Sequence, residues 1–86
     1  MVNSNAKTYS IKISTVEDVK NFVTTASNFA CRATIESGIY IVDAKSIMGV
    51  LSLDVSKPVT LVLEESKNGI DDRDKFYEAI KKFICD

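Results

Sequence analysis

The chain has 86 residues, of which 45% are hydrophobic and 27% charged, and its formal net charge is -1 at pH 7. This size and composition predict one domain over residues 1–86, with a single modest core, and argue against disorder. The near balance of charge argues against non-specific binding of nucleic acid or of an anionic membrane, and no apolar run is long enough to span a bilayer.

The N-terminus and the two cysteines predict a cytoplasmic protein. Residues 1–6 lack the basic start and the apolar stretch of an export signal, and we expect this terminus to be disordered. Cys31 and Cys85 lie far apart, and the chain contains no histidine, so we expect no metal site and no other cofactor. Reduced thiols are favoured over a disulfide because no secretion signal is present.

The first two predicted elements are a strand and a helix. Apolar and polar residues alternate over 7–13, which is typical of a half-buried strand. Ser14 or Thr15 then occupies the N-cap of a helix, and Asn28 is expected to end it. The apolar stripe of this helix consists of Val16, Val19, Phe22, Val23 and Ala26.

A hairpin follows, with an unusually apolar second arm. Residues 31–36 alternate as a second strand, Ser37-Gly38 indicates a tight turn, and residues 39–43 form a third strand. If Tyr40, Val42 and Ala44 face the core, then Ile39 and Ile41 face outwards. At a sheet edge such a strand leaves unpaired backbone groups beside apolar side chains, so a weak homodimer through it is a hypothesis.

The segment 44–53 predicts a short helix with part of its apolar surface exposed. Ser46 stands where an N-cap is expected, and its hydroxyl can accept a bond from an amide one turn into the helix. A short helix cannot bury every face, so some of Ile47, Met48 and Leu51 should lie at the surface. A hydroxyl beside such a surface suits a phosphate-accepting, partner-binding patch. The alternative is a capped helix with an apolar core face.

The last elements are a strand over 59–64, a turn at 66–69 and a final helix. Asp71 or Asp72 is expected to cap this helix, whose core stripe is Phe76, Ala79, Ile80 and Phe83. The element order is βαββαβα, and the hairpin makes strands two and three antiparallel. We therefore predict an α+β fold in which three helices cover one face of a four-stranded antiparallel sheet.

The segment Ala-Lys-Ser-Ile-Met-Gly-Val-Leu-Ser-Leu at 44–53 resembles the regulatory serine segment of HPr, the small phosphocarrier of the bacterial sugar phosphotransferase system, in its Gram-positive type. The resemblance extends more weakly from Phe22 to the C-terminus. It implies the HPr-like open-faced β-sandwich, and it implies that Ser46 is a site of regulatory phosphorylation. The surroundings implied to bind partners are Lys45, Ile47, Met48 and Leu51.

The chain departs from this family at the carrier histidine. HPr carries its phosphoryl group on a histidine between the first strand and the first helix, in a Gly-x-His-x-Arg-Pro type motif. Here residues 12–19 contain none of these four residue types, and Thr15 falls near the histidine position. The predicted strand runs straight into the helix, so we expect the active loop to be lost. A threonine hydroxyl cannot replace imidazole in reversible transfer, because a phosphate ester is a far poorer phosphoryl donor.

Two functions remain open at this point. The first is a non-carrier, HPr-like regulatory protein of carbon catabolite control, phosphorylated on Ser46 by an HPr-type serine kinase and bound by a transcriptional regulator. The second is an interaction module with the HPr fold that has lost both phosphorylation functions. We do not expect an enzyme: the acid pairs at 64–65 and 71–72 fit turn and cap roles, and the chain has neither a glycine-rich phosphate loop nor a histidine for a triad.

Overall fold

The computed structural model describes residues 6–67 and 69–85. Within them the helices and strands follow the predicted order. They are β1 (Lys7–Ile11), α1 (Val16–Ala26), β2 (Arg32–Ser37), β3 (Tyr40–Asp43), α2 (Ile47–Leu51), β4 (Val59–Glu64), α3 (Arg73–Ala79) and a closing 3-10 turn (Lys81–Phe83). The terminus expected to be disordered lies outside the described residues, apart from Ala6.

The four strands form one antiparallel sheet in the order β1-β4-β2-β3. Burial alternates along β4, where Val59, Leu61 and Leu63 are buried and the residues between them are half-buried. One face of the sheet therefore packs on the helices and the other stays open, which confirms the predicted α+β architecture. Pro58 stands just before β4, and its missing N–H costs no ladder bond because β2 already ends at Ser37.

The core lies between the sheet and helices α1 and α3. Phe22 and Phe76 have no exposed surface, and their rings meet edge-on with centroids 6.2 Å apart. The pattern of the sequence predicts a core of nine residues, and all nine are confirmed as buried: Val19, Phe22, Val23, Ile35, Leu61, Leu63, Phe76, Ile80 and Phe83. Two members of the predicted helix stripes, Val16 and Ala79, are instead exposed. Both lie at the margin of their stripe and at the end of their helix, where no neighbouring element covers them.

Three details of the first helix and the hairpin differ from expectation. Asn28 does not end α1 in a left-handed conformation: the helix ends at Ala26, with Ser27 as a right-handed cap. Tyr40 is exposed rather than in the core, because it adjoins the hairpin turn whereas Val42 and Ala44 pack against the core. The turn lies one residue later than the predicted Ser37-Gly38: it consists of Gly38 and Ile39, and β3 begins at Tyr40 instead of Ile39. Gly38 has the positive φ of +61° that suits glycine in a two-residue hairpin.

The prediction that β1 runs straight into α1 is wrong. Four residues, 12–15, separate the two elements. The ladder with β4 ends at the pair Ile11–Val59, where β4 begins, although the alternation of side chains continues to the buried Ile13. The backbone N–H of Lys12 donates instead to the Phe83 carbonyl at 2.8 Å, so a short loop is held against the C-terminal segment.

Candidate functional site

Ser46 is the N-cap of α2, as the sequence predicts. Its Oγ accepts a hydrogen bond from the Gly49 backbone N–H at 3.2 Å, and its carbonyl accepts from the Val50 N–H at 3.0 Å. A turn connects β3 to Ser46, and it is stabilised by a hydrogen bond from the Ser46 N–H to the Asp43 carbonyl at 3.0 Å. The hydroxyl is thus held in place at a half-buried position where β3 meets α2.

Gly49 allows α2 to lie this close to the sheet. A Cβ added at Gly49 would stand 3.2 Å from Ser46 Oγ and 3.4 Å from Val42 Cβ. A larger residue would have to push α2 away from β3 or displace the capping hydroxyl. The sequence around Gly49 carries no signal of this role, because a close approach between two elements depends on residues that are not its chain neighbours.

The apolar side chains Ile47, Met48 and Leu51, which we call the α2 patch, are exposed. Met48 has 76% of its surface exposed, and the other two have more than a third, whereas Val50 on the opposite face is fully buried. Neighbouring Lys45 is half-buried, and its Nζ donates to the Phe29 carbonyl at 2.6 Å. The structure therefore brings Ser46 and the α2 patch together at one surface, with Lys45 tied to the loop after α1.

Thr15, which the resemblance places near the family's carrier histidine, is the N-cap residue of the first helix. Its Oγ1 accepts a hydrogen bond from the Asp18 N–H at 3.0 Å, so it is the N-cap of α1. Ser14 and Thr15 are both exposed, while Ile13 is completely buried. The loop offers hydroxyl groups but no imidazole, and the acids Glu17 and Asp18 stand in the first turn of the helix.

Both acids of the pair Asp71-Asp72 accept hydrogen bonds from other residues of the fold. The Asp71 carboxylate accepts a hydrogen bond from Arg73 Nε at 2.8 Å. This bond and a second one from the Arg73 backbone N–H lower the pKa of Asp71 to about 2. Asp72 occupies the N-cap position of α3 but makes no capping bond. Its two oxygens accept from the backbone N–H groups of Ala30 at 2.7 Å and Cys31 at 2.9 Å, which joins the start of α3 to the start of β2.

Both cysteines are free thiols. Cys31 is buried, and this burial, followed by its hydrogen bond to Asp72, raises the pKa of the thiol to about 11. Over residues 6–67 and 69–85 we find no cluster of three or more side chains suited to binding a metal ion. Nor does any helix in that part of the chain have the length and apolar character needed to cross a membrane.

Comparison with known proteins identifies the family. A family model described as "PTS HPr component phosphorylation site" matches residues 18–86. The crystal structure of HPr-C-His from Thermoanaerobacter tengcongensis is 34% identical and superposes with a TM-score of 0.70, covering 90% of this chain and 86% of that one. The phosphocarrier protein HPr of Bacillus anthracis str. Ames shares the fold at 24% identity, with a TM-score of 0.74 over 96% of this chain and 100% of that one. No curated protein gives a significant match.

The matched residues contain the elements described above. The family match begins at Asp18, after the loop over 12–15, and includes Ser46 and the α2 patch. The order of strands and helices agrees with the fold that the resemblance at 44–53 implies. The chain belongs to the HPr family of the phosphotransferase system.

Proposed function

We propose that this chain is a non-carrier regulatory member of the HPr family, in which Ser46 accepts phosphate from an HPr-type serine kinase and a transcriptional regulator binds the modified surface. It is a substrate of a kinase and not itself an enzyme. The observation that carries the proposal is the arrangement at α2. The Ser46 hydroxyl, which accepts a hydrogen bond from the Gly49 N–H, lies beside the three side chains of the α2 patch, which are exposed instead of packed in the core.

The missing histidine supports the non-carrier half of the proposal. None of the 86 residues is histidine, and the loop over 12–15 offers only hydroxyl, ammonium and alkyl groups. Thr15 already caps α1 through its hydroxyl. A phosphothreonine would also be too stable an ester to donate its phosphoryl group to another protein. A phosphoryl group that reached this loop would therefore not be transferred further.

Phosphorylation of Ser46 would change the surface and leave the fold in place. The phosphate would add nearly two negative charges at the start of α2, where free amides and the helix dipole favour an anion by about 0.3–1 kcal/mol. This gain is small compared with the roughly 5–15 kcal/mol of a folded domain, so no refolding is expected. A partner can then place Met48 in an apolar pocket and pair an arginine with the phosphate.

The test is phosphorylation by an HPr-type serine kinase with ATP, followed by mapping of the phosphorylated peptide. We expect the wild-type chain to be labelled on Ser46 and Ser46→Ala to remain unlabelled. Ser52→Ala is the matched control, because Ser52 ends the same helix and is exposed, with its hydroxyl bonded to the Gly49 carbonyl. It should be labelled like the wild type. Thermal melting verifies that Ser46→Ala stays folded, since loss of an N-cap costs only about 1 kcal/mol.

A second variant tests the α2 patch. Met48→Ser should reduce labelling or regulator binding, whereas Ile70→Ser, which alters an exposed apolar residue away from α2, should leave both unchanged. Equal labelling of wild type and Ser46→Ala, or no labelling of either, would contradict the regulatory proposal. The remaining candidate would then be the interaction module, with Ser46 serving only as a helix cap.

A further inference from the structure

The two edges of the sheet differ in how they are covered. At the C-terminal end of β1, the C-terminal segment covers the edge: the Lys12 N–H donates to the Phe83 carbonyl and the Cys85 N–H donates to the Ser10 carbonyl, both at 2.8 Å. Strand β3 at the other edge pairs only with β2. An uncovered edge strand can pair with another chain unless charge, proline or a bulge prevents it, and β3 has neither proline nor lysine.

The apolar surface of the described residues gathers at this same edge. Six of their eight exposed large apolar side chains lie on the hairpin or on α2. On the hairpin, Ile39 is 90% exposed, Tyr40 65% and Ile41 64%. Such a patch on a small domain is typical of a contact surface.

The ladder with β2 identifies the backbone groups that point outwards. The Ala44 N–H donates to the Ala33 carbonyl, so with the register Thr34–Asp43 the residues that bond to β2 are Tyr40, Val42 and Ala44. Ile41 and Asp43 therefore direct their backbone groups to the free side. The Asp43 carbonyl is already taken by the Ser46 N–H, which leaves the Asp43 N–H and both groups of Ile41. The Ile39 carbonyl also points outwards, because it is antiparallel to the Tyr40 N–H, which points towards β2.

We propose that β3 pairs with β3 of a second copy of this chain, antiparallel about a two-fold axis at Ile41, to give a weak dimer with a continuous eight-stranded sheet. In this register the N–H of each Ile41 donates to the carbonyl of the other. Each Asp43 N–H donates to the Ile39 carbonyl of the second copy, so four hydrogen bonds form. Each Tyr40 lies opposite Val42 of the second copy, next to the place where Gly49 of α2 packs.

The length of the free edge favours a second copy over an extended peptide. Beyond Asp43 the chain turns into α2, and the edge closes where the Ser46 N–H takes the Asp43 carbonyl. A longer extended partner would run past this point without backbone partners. In a second copy, β3 is preceded by the Gly38-Ile39 turn, and in the proposed register Ile39 lies opposite Asp43 of the first copy. The two paired segments therefore end at the same place.

Charge and shape are compatible with this pairing. The register brings no two like charges opposite each other, because Asp43, the one charged residue of β3, faces Ile39 of the second copy. Beside Asp43 the open face has a cleft of about 360 Å³, lined in part by Arg32 and Thr34, which leaves room for an isoleucine side chain. The interface is much smaller than the 20–30 residues per side of a standard one, so the dimer is weak.

The test is sedimentation velocity on the wild-type chain from micromolar to millimolar concentration, with three variants. Wild type should shift from monomer to dimer with rising concentration. Ile41→Lys places two cations at the axis and should raise the dissociation constant at least about tenfold. The control Ile70→Lys adds the same charge at an exposed isoleucine away from the edge and should dimerise like wild type. Met48→Lys, on α2, should have a smaller effect than Ile41→Lys.

Hydrogen exchange gives a second readout that needs no variant. The Ile41 amide should exchange fast in dilute solution and at least about tenfold more slowly at millimolar concentration, whereas the Val42 amide, bonded to β2, should be unaffected. A monomer at every concentration would overturn the proposal, as would association that Ile41→Lys leaves unchanged. Dimerisation lost in Met48→Lys but kept in Ile41→Lys would place the contact on α2 and equally refute the β3 edge.

Discussion

Asp72 supports the sharpest prediction about stability, because its contacts and its sequence position suggest different roles. As an N-cap of α3 it would be replaceable by asparagine at almost no cost. In the structure it makes no capping bond, and its two oxygens instead accept the N–H groups of Ala30 and Cys31. An asparagine has a single acceptor oxygen, and its NH2 group would face one of these donors.

The magnitude follows from the two hydrogen bonds. A hydrogen bond to a charged group contributes about 1.5–3 kcal/mol when buried, but the Ala30 bond is exposed and water can replace it. The Cys31 amide is partly buried and would lose its partner. We therefore expect Asp72→Ala to cost about 2–3 kcal/mol and Asp72→Asn about 1–2 kcal/mol.

Urea unfolding followed by circular dichroism measures these changes. With a slope of about 1–2 kcal/mol per molar urea, Asp72→Asn should lower the midpoint by roughly 0.5–2 M. Asp74→Asn is the matched control, since Asp74 lies in the first turn of the same helix and makes one exposed ion pair with Lys7 at 3.2 Å. It should change the midpoint little. If Asp72→Asn is as stable as the wild type, the hydrogen bonds to Ala30 and Cys31 contribute nothing and the reasoning fails.

Three further predictions concern the core, acid stability and the thiols. Phe76→Ala should lower the free energy of unfolding by about 3–5 kcal/mol, because it empties a fully buried site between aromatic rings; a loss below 1 kcal/mol in urea unfolding would contradict the core assignment. The pKa of Asp71 is lowered to about 2, so its contribution is complete above pH about 4 and is lost as the pH falls towards 2; Asp71→Asn should flatten this acid limb of the pH-stability curve. At neutral pH, alkylation followed by mass spectrometry should modify Cys85 well before the buried Cys31, whose raised pKa keeps it protonated; equal rates would contradict the burial of Cys31.

Features with a local signal could be predicted from the sequence. Strand β4 has the predicted bounds because alternation over six residues specifies both the strand and its buried face. The cap at Ser46 was predicted correctly, and the cap of α1 was narrowed to Ser14 or Thr15, of which the structure has Thr15, since a cap bonds to an amide only three residues away. The exposure of the α2 patch also follows from local chemistry, because a five-residue helix cannot bury every face.

Features that depend on distant residues could not be predicted. The partners of Asp72 lie about forty residues earlier in the chain, so nothing near residue 72 distinguishes a link to β2 from a helix cap. Arg73 is almost fully buried, between Asp71 and Glu65, although arginine in a first helical turn is normally exposed. Tyr40 is exposed because it adjoins the hairpin turn, although the alternation along β3 places it on the same face as Val42. Only the packing of the elements determines these positions.

This chain has the HPr fold, and we propose that it lacks the carrier chemistry; transfer from phosphoenolpyruvate tests this claim most directly. The protein is incubated with phosphoenolpyruvate and Enzyme I, beside an HPr that has its histidine, and the phosphate bound to each protein is measured by intact mass. We predict that the control becomes phosphorylated and that this chain gains no phosphate. Acid-labile phosphate on this chain, or a phosphorylated Thr15 in the loop before α1, would contradict the claim.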